Sequence, residues 1–258
     1  MPIGHHLANL RAVKKEPIAR LVDIVKFYGD TLALDQANLD LYSGEVLGLV
    51  GPNGSGKTTL TGILCGNIIP DSGEIWIGGR EVRFASPSDA IDCGIRNLPQ
   101  SLEIYPSLSV LENIFVGQEI TRGWAFARRM DWAKMELRCK ALLQRVGADH
   151  LDPRHMVSQL SGGQQKAVVI ARLLATQATV LVFDEPAASL GVKQKLQLLD
   201  LFKTEALNGR SIVFITHDIE DVLAICTRVV VLRKGQTITD MERATTSRET
   251  LAMQMAMA

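Results

Sequence analysis

No apolar stretch in these 258 residues approaches the roughly 20 that a membrane-spanning helix needs, so no transmembrane segment is expected. Neither sign of charge is in excess. The 28 basic and 28 acidic residues cancel, and no overall field favours nucleic acid or anionic lipid. Cysteine is scarce and unpaired in pattern. Cys65, Cys93, Cys139 and Cys226 lie far apart with no C-x-x-C, which reads as reduced, mostly buried thiols rather than a disulfide framework or metal site. The lead Met1-Pro-Ile-Gly-His5-His6 carries no apolar core or cleavage site, so secretion is not expected. No internal repeat is visible. What remains is an ordinary soluble composition, 47% hydrophobic and 22% charged, of a length that suits one large α/β domain or two small ones.

Against that plain background one stretch stands out. Val46 to Val50 is a short apolar run of the kind found in buried parallel strands, and Gly51-Pro-Asn-Gly-Ser-Gly56-Lys57-Thr58 follows it at once. Thr59 to Cys65 can continue as a helix, giving G-x-x-x-x-G-K-T its expected strand–loop–helix setting. Glycines let backbone N–H groups turn inward on a phosphate, and a new helix adds its positive end. Gly51, Asn53, Gly54, Ser55, Gly56, Lys57, Thr58 and Thr59 are therefore the candidate phosphate-binding residues. Lys57 would reach the β/γ-phosphates of a nucleotide, and the Thr58 hydroxyl would hold Mg²⁺.

Around this loop the chain divides into readable pieces. Residues 1–18 form a polar tail. Alternation from Ala19 to Lys26 suggests a strand that ends at Phe27-Tyr28-Gly29, and Leu39 to Tyr42 a second; both look antiparallel. Glu74 to Val82 reads as a hairpin about Gly78-Gly79, and Ile95 to Pro99 as a strand leading to Gln100. From about 101 to 172 the character turns helical. Ser109 and Glu112 stand at capping-box spacing, and Met130 to Val146 carries an apolar stripe at Met135, Leu142 and Val146. Apolar runs return at Val180–Phe183 and Ile212–Ile215, followed by a hairpin about Lys234-Gly235. Residues 241–258 end in a Met-rich segment that reads as a short packed or frayed helix, with a binding strip as the alternative.

Two further motifs bear on chemistry. Asp184-Glu185-Pro186 closes the run Val180–Phe183, where α/β sheets place their ligands. Asp184 fits the acidic group that orients a Mg²⁺ shell, and Glu185 the base that polarises an attacking water. Leu160-Ser161-Gly162-Gly163-Gln164 has Ser161 and Gln164 at capping spacing ahead of an apolar helical stripe. It is either a plain N-cap or, through the N–H groups of Ser161, Gly162 and Gly163, a second phosphate-binding end. The chain thus has two such ends but one Lys57.

Together these residues resemble the nucleotide-binding subunit of an ATP-binding cassette (ABC) transporter over roughly residues 20–240. The resemblance implies the ABC ATPase fold: a P-loop NTPase core with a mostly parallel sheet, an antiparallel β subdomain and an inserted helical subdomain at about 101–172, all within 19–240. It also assigns Tyr28, with Phe27 as the alternative, to the adenine-stacking aromatic, Gln100 to the Q-loop glutamine at the junction of the core and the helical insert, and His217 to the switch histidine. Catalysis then rests on Glu185, His217 and Gln100, and the metal on Thr58, Gln100 and Asp184. The implied partners are permease subunits in the membrane, a second cassette packed head to tail and, indirectly, a periplasmic or extracellular solute-binding protein, with no nucleic acid. The implied location is cytoplasmic, attached to the inner membrane through the permease. One departure is plain: where the family usually has Ser-Ala-Leu-Asp, this chain has Ala188-Ser189-Leu190-Gly191.

Within the family, Glu112-Asn-Ile-Phe-Val-Gly-Gln-Glu119 is similar to the ENIFLGRE stretch of monosaccharide importers, Met130-Asp-Trp-Ala-Lys-Met135 to their ID-W-x-x-M, and Ala188-Ser-Leu-Gly-Val-Lys-Gln194 to the ALGVKQ of their single-cassette members. Monosaccharide import is the expectation. Import of another small solute such as an amino acid or nucleoside, a soluble ABC protein acting on ribosomes or DNA, and a non-hydrolysing scaffold are the alternatives. Lys57 and Glu185 are both intact, which weighs against the last.

Overall fold

The computed structural model describes residues 16–98, 103–124, 127–188 and 190–256. The chain opens on an antiparallel hairpin, β1 (Ala19–Tyr28) and β2 (Thr31–Leu41), then enters β3 (Val46–Val50) and α1 (Lys57–Leu64). Next come β4 (Ser72–Ile77), β5 (Arg80–Val82), α2 (Pro87–Asp92) and β6 (Ile95–Leu98). The helical stretch holds α3 (Val110–Phe115), a ribbon of β7 (Thr121–Arg122) and β8 (Arg129–Met130), α4 (Trp132–Arg145) and α5 (Gly162–Ala175). The chain closes with β9 (Val180–Asp184), α6 (Val192–Leu207), β10 (Ser211–Ile215), α7 (Ile219–Ile225), β11 (Arg228–Arg233), β12 (Gln236–Glu242) and α8 (Arg248–Ala256). No helix among the described residues is long and apolar enough to cross a membrane.

Two main sheets organise these elements. The larger runs β12-β11-β3-β10-β9-β6, parallel throughout except at β12, and the smaller is antiparallel in the order β2-β1-β4-β5. The apolar runs are continuous because both faces of the larger sheet are covered. Val46, Phe183, Phe214 and Val229 point into one hydrophobic cluster beneath the helical stretch, while Leu47, Val182, Val213 and Val230 point into another against α1 and the antiparallel sheet. On the first side Phe202 of α6 stacks between Phe183 and Phe214, with ring centroids 4.3 and 5.7 Å away.

Local departures from the expected elements have local causes. β2 begins at Thr31, well before Leu39, because register shifts against β1 break the alternation that would have marked it. The helix expected from Met130 begins at Trp132. Met130 ends a strand, and Asp131 caps the helix by accepting the Lys134 N–H at 3.2 Å. Both expected capping boxes form, Ser109 with Glu112 and Ser161 with Gln164. Cys65, Cys139 and Cys226 are buried free thiols, and burial pushes the first two up to about 12. At the C-terminal end, α8 packs Leu251 and Met255 on the core and leaves Met253 exposed.

Arg228 ties the two sheets together. Its guanidinium donates to Glu45 at 2.9 and 3.2 Å, to both Asp240 oxygens at 2.6 Å and to the Asp40 carbonyl, and lies 4.9 Å from the Tyr42 ring. Arg228 and Glu45 are both nearly out of water. Arg228→Met should leave Glu45 buried without its cation and cost about 3–5 kcal/mol. Urea unfolding measures it, and a loss below about 1 kcal/mol would mean that water screens the pair.

Candidate nucleotide site

The parallel register decides which residues meet. Ile215 of β10 is level with Leu49 of β3 on one side and with Asp184 of β9 on the other. The three strand ends therefore stop in one row, and the segments that leave them, Gly51 to Thr58, Asp184-Glu185 and Thr216-His217, share one edge of the sheet. Ligands of open α/β sheets bind at that edge.

The loop after β3 turns on glycines whose positions admit nothing else. Gly51 has φ +151°, and a Cβ there would lie 2.0 Å from the Leu232 carbonyl oxygen; Gly56 has φ +101°, with Ala33 O at 2.8 Å from a Cβ. Under this loop the Lys57 ammonium donates to the carbonyls of Gly51 at 2.8 Å and Pro52 at 2.9 Å. The residue is only 9% exposed, and burial lowers its pKa against the opposing pull of Glu185 and Asp184. Ser55 Oγ is buried with no hydrogen-bond partner among the described residues, an acceptor and donor held ready inside the loop.

Thr58, in the first turn of α1, donates its hydroxyl to Asp184 Oδ2 at 3.1 Å. Burial pushes the Asp184 carboxyl above its usual range, with the Thr58 bond opposing. A hydroxyl and a carboxylate side by side are a hard oxygen set of the kind Mg²⁺ takes. A cleft of about 450 Å³ opens beside them, lined by Thr61, Asn97, Leu98 and Val182 as well. Gln100 lies two positions past Leu98 and outside the described residues.

Glu185 adopts a left-handed backbone, φ +48°, which few non-glycine residues do. Its N–H donates to Ile215 O at 3.0 Å, and its Oε1 meets His217 Nδ1 at 2.8 Å. With the carboxylate ionised, the proton of that bond sits on Nδ1. His217 is positioned from behind: Asp218 caps α7, and Lys195 of α6 bridges Asp218 at 2.6 Å and Asp221 at 2.7 Å. The Lys195 bond holds the Asp218 carboxyl below its usual range.

Other expected residues stand apart from this row. Tyr28 ends β1 51% exposed, with Lys26 Nζ 5.9 Å from its ring centre, and Phe27 is about as open. Ser161 caps α5, accepting the Gln164 N–H at 3.4 Å, while the Gln164 side chain takes the Ser161 N–H at 2.9 Å. A Cβ on Gly162 would meet nothing within 4 Å, so this chain's own packing does not require glycine there. Gly191 starts α6 without a side-chain cap, and Ser189 lies outside the described residues. Lys166 of α5 reaches Ala188 O at 3.1 Å, tying that helix to the loop after Glu185.

Sequence reasoning missed the hub of the helical half. Asn113 is fully buried and bonds the backbone of Tyr105, Leu108 and Ser109, while Arg172 of α5 donates to its side-chain and backbone oxygens at 2.9 and 2.6 Å. A polar residue inside Val110–Phe115 was the available signal; its partner, 59 positions away, was not. The backbone of Tyr105, Leu108 and Ser109 is thus held to α3. Next to it lies a groove of about 460 Å³ between α2, β6, α3 and α5, lined by Arg96, Asn97, Glu103, Val116, Gln118 and Arg172.

Comparison with known proteins agrees with this geometry. Residues 34–188 match the sequence profile described as ABC transporter. A fructose import ATP-binding protein of Rhizobium meliloti is 37% identical over 86% of this chain and 87% of its own length. A ribose import ATP-binding protein of Caldanaerobacter subterraneus is 38% identical over 93% of the chain, which spans 48% of that relative. Among solved structures, an ATP-binding cassette in its ADP conformation superposes with a TM-score of 0.75 at 26% identity, covering 92% of this chain and 94% of its own. A dimeric post-hydrolysis cassette bound to ADP and Pi gives 0.75 at 27% identity, over 87% and 98%. The row of loop, carboxylates and histidine at the strand ends is built on the ABC ATPase fold, and the chain belongs to the ABC transporter family.

Proposed function

We propose that this chain is the ATP-hydrolysing subunit of an importer, attached to the cell membrane through permease subunits and carrying a monosaccharide. The observation that carries the ATPase reading is the shared row of Lys57, the Thr58–Asp184 pair and the Glu185–His217 pair at the ends of three parallel strands. The residues fit the substrate and its metal: an unpartnered buried Ser55 hydroxyl, a buried ammonium and two hard oxygen donors face one loop. Mg²⁺, when bound, neutralises charge on the β- and γ-phosphates. Thr58 and Asp184 would hold it, with Gln100. The backbone N–H groups from Asn53 to Thr59 wrap the phosphates, and Lys57 exchanges loop carbonyls for phosphate oxygens. Glu185 accepts a proton from the attacking water, and His217, donating from Nδ1, keeps that carboxylate turned toward the sheet edge.

The Ser161–Gln164 helix start takes the phosphates of a second cassette packed head to tail, and the open space at Gly162 leaves room for close approach. The groove lined by Arg96, Glu103 and Arg172 seats a permease segment, and the helical stretch of about 101–172 carries the motion to it. The names of the fructose and ribose import relatives support a monosaccharide cargo. A nucleoside import ATP-binding protein of Lactococcus lactis, 33% identical over 92% of the chain, keeps nucleosides as the second reading. Uptake of labelled ribose and fructose against nucleosides, in cells lacking and regaining this chain, separates the two.

Glu185→Gln should hold ATP without hydrolysing it and accumulate as a dimer, with turnover reduced about 10²–10⁴-fold, the range that one general base contributes. Sedimentation with ATP checks this, and a monomer at all ATP concentrations counts against the head-to-tail site. Tyr28→Ala should weaken ATP binding about tenfold, since stacking on a base contributes roughly 1–3 kcal/mol. Nucleotide titration decides it; if only Phe27→Ala weakens binding, the stacking ring is the neighbouring one.

A further inference from the structure

The charge balance of the whole chain conceals a local excess. Between Ile120 and Met130 there are three arginines, Arg122, Arg128 and Arg129, and no acid. All three are exposed, and among the described residues none has an ion pair or side-chain hydrogen bond. The flanking acids are turned onto backbone instead, Glu119 accepting the Gly117 N–H at 3.1 Å and Asp131 capping α4.

The ribbon holds two of these cations face to face. In the β7–β8 register Arg122 stands directly opposite Arg129. Like charges so placed are destabilising, and a two-stranded ribbon has little stability to spare. Backbone bonds nevertheless close it at both ends, Ala127 N–H to Trp124 O and Asp131 N–H to Ile120 O, each at 2.7 Å. At the turn Gly123 has φ +103°, and a Cβ there would stand 2.4 Å from Ala127 O. An anion between the two guanidinium groups relieves the repulsion that this geometry builds in. Beside them Trp124 is 91% exposed, with Met130 and Trp132 also open. A free phosphate has no use for an exposed indole. A bilayer surface uses both, since arginine forks onto phosphate oxygens and tryptophan settles at the headgroup level.

We propose that the face made by Arg122, Trp124, Arg128 and Arg129 is a membrane contact that binds the phosphate groups of anionic lipids. Its position agrees. β7 starts four residues after Gly117, which with Val116 and Gln118 rims the groove assigned above to the permease. A membrane-embedded partner in that groove brings this edge of the chain to the bilayer. That last step rests on the importer reading; the lipid contact itself does not.

The test is flotation of the full chain with vesicles of mixed phosphatidylglycerol and phosphatidylcholine, beside vesicles of phosphatidylcholine alone. The chain should float with the anionic vesicles only and be released as salt is raised. Each arginine near an anionic surface is worth about fivefold in partition, so Arg122→Gln/Arg128→Gln/Arg129→Gln should lose roughly a hundredfold. Trp124→Ala should weaken binding with the salt dependence unchanged. All variants should keep wild-type ATP turnover in solution, which reports folding. Equal flotation of the triple variant, or of the chain with neutral vesicles, would overturn the proposal. So would full release by millimolar inorganic phosphate, which marks a plain anion site, or binding restricted to neutral proteoliposomes that carry the permease. If the chain turns over no ATP yet floats as described, the lipid contact stands and the importer reading falls.

Discussion

Everything in the nucleotide half follows from keeping one ammonium out of water. Desolvation works against the charge on Lys57, and only close oxygens can offset it. Two are loop carbonyls, and reaching them requires a loop that folds back over its own lysine. That fold in turn requires glycine at Gly51 and Gly56, where the Leu232 and Ala33 carbonyls leave no room for a Cβ. The compensating negative field comes from Asp184 and Glu185, which arrive only because β9 and β10 stop level with β3. Loop, sheet register and carboxylates are one arrangement.

Much of this was legible in the sequence because the signals were local. Apolar runs at Val46–Val50, Val180–Phe183 and Ile212–Ile215 mark strands covered on both faces, and glycine spacing marks the loop. Capping boxes at Ser109 and Ser161 depend on residues three apart, and both form. The approach of His217 to Glu185 is different in kind. It spans 32 positions and depends on parallel register, which no local pattern carries; the strand-end motif singled out Glu185 and the family resemblance His217, but neither gave their contact. Likewise the left-handed backbone of Glu185 leaves no mark in composition.

The helical half was read less well, for the same reason. Strands two residues long have no period, so nothing marks Thr121–Arg122 or Arg129–Met130, and the stripe from Met130 reads as a helix that in fact starts after Asp131. Asn113 and Arg172 hold α3 to α5 through a buried polar network, and such networks are satisfied or fail as a unit. Periodicity marks where apolar faces lie. It is silent on which polar residue has been drawn inside them.

The two hydrophobic clusters share no side chain: alternate residues of the same strands serve opposite sides of one sheet. Damage is therefore felt first on the side where it is made. A substitution that loosens the packing beneath α3, α4 and α5 removes contacts from one cluster and leaves the side chains of the other in place. Variation in this chain is thus graded by side, with one face of the sheet backing the glycine loop and its lysine and the other carrying the helical half.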